Sequence, residues 1–174
     1  RPKDDAWSHR LDIGHPDMMQ ELEQVAEEGM TTHAGYRPED EFSHRLISRR
    51  MDDVYNSSGR DIPNLTKNYN YNPAFMNPAD LAALELASGD VVKISSARAS
   101  ILGIVEEAED IKRGAISMAH AWGDAPENDN QVHFIGSNTG RLTDSTEYFD
   151  HRTGLPMMSA IPVNVEKTAD PSEI

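Results

Sequence analysis

The sequence predicts a mainly β domain, a barrel or sandwich of short strands carrying a few short helices. Two observations carry this. Short runs rich in β-branched residues recur between polar, Gly-containing connections, whereas one segment in the body of the chain has the full start signals of a helix. The 174 residues, 37 % of them apolar, suit one domain with a core of modest size.

The elements follow in order. Residues 1–44 hold eleven acidic side chains against four basic ones. Within them, residues 17–28 read as a short helix, with Pro16 before it, Leu22 and Val25 on one stripe and Gly29 as a stop. One amphipathic helix in acidic, loop-like sequence reads as an arm, not a core. Residues 45–50 (RLISRR) are β-like, and residues 55–73 are rich in Asn, Ser, Gly and Pro without a sustained period, which predicts a long irregular loop. Asn77-Pro78 opens the clearest helix: Asn77 as N-cap, Pro78 at the first helical position and Asp80 in the first turn. Leu81, Leu84 and Leu86 give it an apolar side, and Gly89 is the predicted stop. Residues 90–95 and 100–107 predict a hairpin; residues 115–119, 132–135 and 157–166 are the remaining strand candidates.

Sixteen Lys and Arg stand against thirty Asp and Glu, a formal net charge of −14. That balance argues against nucleic-acid binding and against a polybasic membrane patch. No apolar run approaches the roughly 20 residues that span a bilayer. Cysteine is absent, which excludes disulfides, thiolate catalysis and Cys-ligated metal centres in these residues. The seven His show no helical metal-ligand spacing, and no H-E-x-x-H, G-x-G-x-x-G or Walker motif occurs. The opening at Arg1 in acidic, Pro-punctuated sequence, with no secretory core over residues 1–11, reads as a piece of something longer, with the cytoplasm favoured as its compartment and the periplasm compatible.

Three segments carry candidate binding chemistry. Arg45, Arg49, Arg50 and Arg60 sit in the least acidic stretch of an acidic chain, where guanidinium groups suit bidentate contact with a diphosphate. His120, Trp122 and Gly123 place an imidazole, an indole and a flexible backbone at a strand exit, either to line a planar heterocycle or as a buried aromatic plug. Residues 136–141 (GSNTGR) are dense in small residues and side-chain donors, which fits ligand approach or a plain turn. The Gly136-Ser137 pair is also the kind that self-processing pyruvoyl decarboxylases cleave.

In order, these segments resemble the C-terminal dinucleotide-binding domain of the molybdopterin oxidoreductases, the dimethyl sulfoxide reductase and formate dehydrogenase superfamily. Residues 45–59 (RLISRRMDDVYNSSG) resemble its first barrel strand and cofactor loop, and residues 77–96 (NPADLAALELASGDVVKISS) its Asn-Pro helix leading to a Gly-Asp-Val strand. Residues 100–123 resemble the next strand, the Arg-Gly turn and the loop bearing His and Trp; residues 136–144 resemble the Asn-x-Leu-Thr loop; residues 150–166 resemble the closing Gly-x-Pro segment. There are two departures. Thr139, Gly140 and Arg141 stand between Asn138 and Leu142 where the family commonly has one residue, and Met157, Met158 and Ser159 follow Pro156 where many relatives place a Lys.

The resemblance implies a six-stranded double-psi β-barrel over residues 42–167, an acidic arm or linker over 1–41 and a C-terminal tail over 168–174. It implies molybdopterin guanine dinucleotide as cofactor, with molybdenum or tungsten held by the remainder of the enzyme. The contacts it implies are Ser48, Arg49, Arg50, Asn56 and Ser57 on a first loop, His120, Trp122 and Gly123 on a second, and Asn138 and Thr143 on a third. No catalytic or metal-ligating residue is expected here. The expected partners are the remaining domains or the catalytic subunit of an oxidoreductase, and the segment alone is not expected to turn over substrate. The alternatives are a non-catalytic double-psi barrel that binds proteins and a pyruvoyl decarboxylase.

Overall fold

Every strand of the sheet has a hydrogen-bonded neighbour on both sides, so the sheet closes into a barrel of order β1-β5-β2-β4-β3-β6. This computed structural model describes residues 13–32, 42–66, 69–150 and 153–171. The strands are β1 (His44–Arg49), β2 (Ala74–Met76), β3 (Val91–Ser95), β4 (Ser100–Glu107), β5 (Ala115–Ala119) and β6 (Ile161–Lys167). β1 runs parallel to β5, and β2 parallel to β4; the other four pairings are antiparallel. This is the mixed six-stranded barrel that the resemblance implied.

The core is the inward face of these strands. Leu46, Met76, Ile94, Ile101, Val105, Ile116, Met118 and Val163 are essentially sealed from water, each worth about 1.5–3 kcal/mol in transfer free energy. β1 and β6 alternate inward and outward residues, whereas β5 is buried at four consecutive positions because further chain covers its outer face.

The pairings make β1, β3 and β5 run one way and β2, β4 and β6 the other. All three odd-to-even connections, residues 50–73, 96–99 and 120–160, therefore leave from one end of the barrel. That end is called the rim below. The opposite end carries α2 (Pro78–Ala83) and the connection between β4 and β5.

At that opposite end the sequence signals act as expected, with one difference. Asn77 caps α2 by accepting from the Ala79 amide at 3.0 Å. The helix stops at Ala83, before the expected Gly89, because Glu85 turns left-handed at φ 56°. The Leu86 amide then bonds the Leu81 carbonyl (2.9 Å) and the Glu85 amide the Ala82 carbonyl (3.2 Å), the paired bonds of a Schellman terminus. Leu81 and Leu86 bury the accompanying apolar contact. Glycine prefers the left-handed position, so Glu85→Gly is expected to stabilise the domain by about 0.5–1 kcal/mol, read as a raised melting midpoint.

Asp80 locks the start of β5. Its carboxylate accepts from the Gly114 amide (2.6 Å) and from Arg113 Nε (3.1 Å), and the Gly114 carbonyl in turn accepts from the Arg45 amide (2.8 Å). His44 is buried beside it, with Nε2 3.9 Å from Asp80 Oδ2. Burial pushes the His44 pKa down, and the Asp80 charge offsets part of that shift.

Several expectations change. Val132–Ile135, read as a strand, is a helical turn, α3, which continues a 3-10 segment over Pro126–Gln131 and ends at Gly136. A four-residue apolar run has no period of its own, and the turn before it decides its form. The strand expected over 157–166 begins at Ile161, after Ala160 takes a positive φ of 59°. β2 falls on the three residues between the expected loop over 55–73 and the helix opening at Asn77, where no element is expected. The N-terminal helix α1 (Pro16–Thr32) extends beyond Gly29, and Leu22 and Val25 on its stripe are exposed. The rest of the expected arm, residues 1–12 and 33–41, lies outside the described residues, as do residues 172–174 of the expected tail.

Candidate functional site

The parallel register of β1 and β5 pairs Ser48 with Met118 and Arg49 with Ala119, so the next residues, Arg50 and His120, leave the barrel side by side. His120 then joins two parts of the first loop: its Nδ1 lies 3.5 Å from Ser48 Oγ and its Nε2 2.9 Å from Asn56 Oδ1. A carboxamide oxygen only accepts, so Nε2 carries the proton toward Asn56 and Nδ1 is left to accept from the Ser48 hydroxyl. Arg50 Nη1 donates to the same Asn56 oxygen. Asn56 sits at φ 53°, a left-handed conformation that Asn tolerates better than most residues.

Arg49 is held differently. Its guanidinium carbon stands 4.3 Å above the centroid of the Phe75 ring on β2, which orients a cation in a half-buried position. Arg49, Arg50, Asp52, Asp53, Thr66, Tyr69 and Phe75 line one cleft, so two guanidinium groups face it against two carboxylates. Ser57 is exposed on the tip of the same loop, and Arg60 reaches back to donate to the Ala121 carbonyl at 3.0 Å. Of the four arginines in the sequence window, Arg45 stands apart: it lies at the start of β1, where its Nη1 donates to the His44 carbonyl.

The second and third loops meet through backbone. The Gly123 amide donates to the Ile135 carbonyl at 2.8 Å, and a Cβ on Gly123 would lie 2.4 Å from the Asn138 nitrogen. Gly123 is also at φ 67°, so glycine is required twice over, by space and by conformation. Gly123→Ala is expected to push the two loops apart. A melting midpoint lowered by the equivalent of about 1–3 kcal/mol, with β3 and β4 amides still protected from exchange, would show it.

Trp122 is only 2 % exposed, and its Nε1 has no hydrogen-bond partner among the described residues. Its ring packs against Gly136, whose added Cβ would approach Cε3 at 3.2 Å. The indole thus backs the loops from inside. Asn138 and Thr143 are both engaged in their own loop: Asn138 Oδ1 accepts from the Gly140 amide (3.1 Å), and the Thr143 hydroxyl donates to the Gly140 carbonyl (2.8 Å). Between them the three unexpected residues, Thr139, Gly140 and Arg141, coil into a 3-10 turn over Thr139–Leu142. Arg141 holds that turn to Asp129 (2.6 and 3.1 Å) and to the Ser100 carbonyl (2.9 Å). Ser137 Oγ donates to the Leu102 carbonyl and is thereby committed to β4.

The structure brings Ser48, Arg50, Asn56 and His120 into one network and places Arg49 beside it. Trp122, Gly123 and Asn138 form the adjoining wall. Thr143 lies at the far end of the 3-10 turn, next in the chain to Leu142 and Asp144, which line a separate, mostly apolar cleft with Phe42, Met157 and Ile161. Three contributors were not on the expected list. Asn72 is buried and bonded to the last residue of β5 and to the third loop, Phe75 carries Arg49, and Ser159 Oγ accepts from the Ser48 amide at 3.2 Å. Asn72-Pro73 lies at the end of the irregular loop expected over 55–73, so only the fold shows its role. Among the described residues no group of three or more His, Asp or Glu is placed to hold a metal ion. None of the described helices is long and apolar enough to cross a membrane.

The chain is 28 % identical over 108 residues to the F420-dependent formate dehydrogenase subunit alpha of Methanocaldococcus jannaschii, a match covering 62 % of this chain and 14 % of that subunit. Its fold is similar to that of the acetylene hydratase from Pelobacter acetylenicus, with a TM-score of 0.62 at 16 % identity, over 83 % of this chain and 20 % of the hydratase. The chain thus spans a small fraction of the length of either relative. The family described as "Molydopterin dinucleotide binding domain" matches residues 45–161, which run from β1 into β6 and include all three loops. By that match, which takes in more than half of the sequence, the chain belongs to the molybdopterin dinucleotide-binding domain family.

Proposed function

We propose that the chain is the cofactor-holding module of a molybdenum- or tungsten-dependent oxidoreductase, and that its rim takes the guanine form of the dinucleotide. One observation carries this reading: two connections distant in sequence, residues 50–73 and 120–160, leave the same end of the barrel, and the three loops they carry are tied to one another there, by His120 between Ser48 and Asn56, by Arg60 on Ala121, and by Gly123 against Asn138.

The donor set fits the group. A diphosphate-linked pterin presents anionic oxygens and planar heterocycles; the rim offers the forked donors of Arg49 and Arg50 in one cleft, and the Trp122 N–H, buried on the second loop, has no hydrogen-bond partner among the described residues. Arg49 and Arg50 hold the diphosphate. Ser48, Asn56 and His120 fix the loop that carries Arg50, and the packed Gly123–Asn138 contact holds the second loop against the third. When bound, the cofactor supplies the redox chemistry; the chain's share is binding and orientation. The catalytic chain and the substrate site belong to the remainder of such an enzyme, and residues 1–41 act as the arm joining this module to it. The fraction of each relative that the chain covers supports this assignment.

Titration of the chain with guanosine diphosphate, followed by amide chemical shifts, tests the site. Shifts are expected in residues 49–60, 120–124 and 136–140. Shifts confined to α2 and the Asp80 turn, or none at millimolar ligand, would overturn the reading and leave the protein-binding barrel as the better account.

A further inference from the structure

We propose that Asn72 is the positioning residue that sets the distance between the second and third loops and so fixes the shape of the cradle. The inference rests on the reading of the rim as a phosphate-ligand site. Asn72 is 1 % exposed and uses its whole side chain on backbone: Nδ2 donates to the Ala119 carbonyl (2.7 Å) and the Ser137 carbonyl (3.0 Å), while Oδ1 accepts from the Ser137 amide (2.7 Å). Ala119 is the last residue of β5, immediately before His120. Ser137 immediately precedes Asn138, the residue in backbone contact with Gly123. One carboxamide therefore spans the exit of β5 and the entrance of the third loop.

The chemistry leaves little choice of side chain. Two carbonyls must be given protons and one amide must be given an acceptor, at a site closed to water, and of the short side chains only Asn does both. Leucine would orphan all three groups, and aspartate keeps the acceptor while losing both donors. A longer side chain is blocked as well, because Gly136, at φ 72°, approaches so closely that a Cβ there would lie 2.4 Å from Asn72 Oδ1.

The test compares Asn72→Ala and Asn72→Asp with the unaltered 174-residue chain, using amide hydrogen exchange and guanosine diphosphate affinity. In Asn72→Ala the Gly123 and Ser137 amides are expected to exchange at least about tenfold faster and affinity to fall by a similar factor, while β3 and β4 amides stay protected. In Asn72→Asp the Ser137 amide keeps its acceptor and its protection, but Gly123 loosens and affinity falls at pH 7.5. Lowering the pH toward 5.5 protonates the carboxyl and returns one donor, so affinity relative to the unaltered chain at the same pH should recover in Asn72→Asp and stay low in Asn72→Ala.

Unchanged Gly123 protection in both variants would overturn the proposal. So would loops and strands losing protection together in both, or loosened loops with full affinity. If the unaltered chain does not bind guanosine diphosphate, the functional reading fails, while Gly123 exchange still decides whether Asn72 sets the loop spacing.

Discussion

Arg49→Ala/Arg50→Ala protein is expected to lose dinucleotide affinity by about two to four orders of magnitude. Hydrogen bonds to charged partners contribute roughly 1.5–3 kcal/mol each, and two of them together make that loss. The barrel should survive the change. Arg50 is exposed and hydrogen-bonds the Asn56 carboxamide, while Arg49 gives up its station over the Phe75 ring, about 1 kcal/mol. Calorimetric titration with the dinucleotide or with guanosine diphosphate measures the loss, and a melting curve checks the fold. Arg49→Lys/Arg50→Lys should recover only part of the affinity, because an ammonium keeps the charge and loses the fork. Full affinity in the alanine pair would move the diphosphate site away from this cleft.

The largest effect on stability is expected at the opposite end. Asp80→Ala removes a buried carboxylate from the Gly114 amide and leaves that amide short of an acceptor, a cost of about 2–3 kcal/mol; the Arg113 guanidinium is mostly exposed and adds little. For a domain of this size the melting midpoint should fall by about 4–12 °C. The pH dependence should steepen too. Burial already holds the His44 pKa below its ordinary value near 6.5. Neutral His44 therefore favours folding fully above that pH, and this contribution drains away as the pH falls below 6.5 toward the folded value. Without the Asp80 charge the folded pKa moves lower still, so melting midpoints measured from pH 8 to pH 5 should drop faster in Asp80→Ala than in the unaltered chain. A parallel fall in both proteins would mean that His44 is not the group responsible.

How much of this the sequence carried differs by element. The β3–β4 hairpin and β5 were legible because their β-branched residues lie between clear turn residues, and α2 because Asn77-Pro78 fixes its start. Its end was not, since the left-handed residue is Glu85, a residue with no bias toward that conformation. β2 was hidden by being three residues long, bounded by Asn and Pro on one side and a helix cap on the other. For the site, the first-loop arginines stood out against an acidic background, and His120 and Gly123 stood out as unusual residues after a strand. The contribution of Asn72 was invisible: its three partners lie far along the chain, and nothing local marks a turn-like Asn as the centre of a buried network. The 3-10 turn over Thr139–Leu142 shows the converse. Its three residues looked like a disturbance of the loop, and Arg141 and Asn138 instead fold them into a self-capped unit.

A sheet that meets itself has no bare margin of peptide groups. Among the described residues the six strands join in a ring, and where β4 passes from β3 to β2 its Ser100 and Leu102 carbonyls are taken by Arg141 and Ser137, which leaves little strand edge along which a neighbour could lengthen the sheet. Attachment to a larger assembly then falls to side chains on the outer faces of the strands, on the connections at the two ends of the barrel and on the exposed stripe of α1. That restriction also guards the fold against templated aggregation when it is produced apart from its companions.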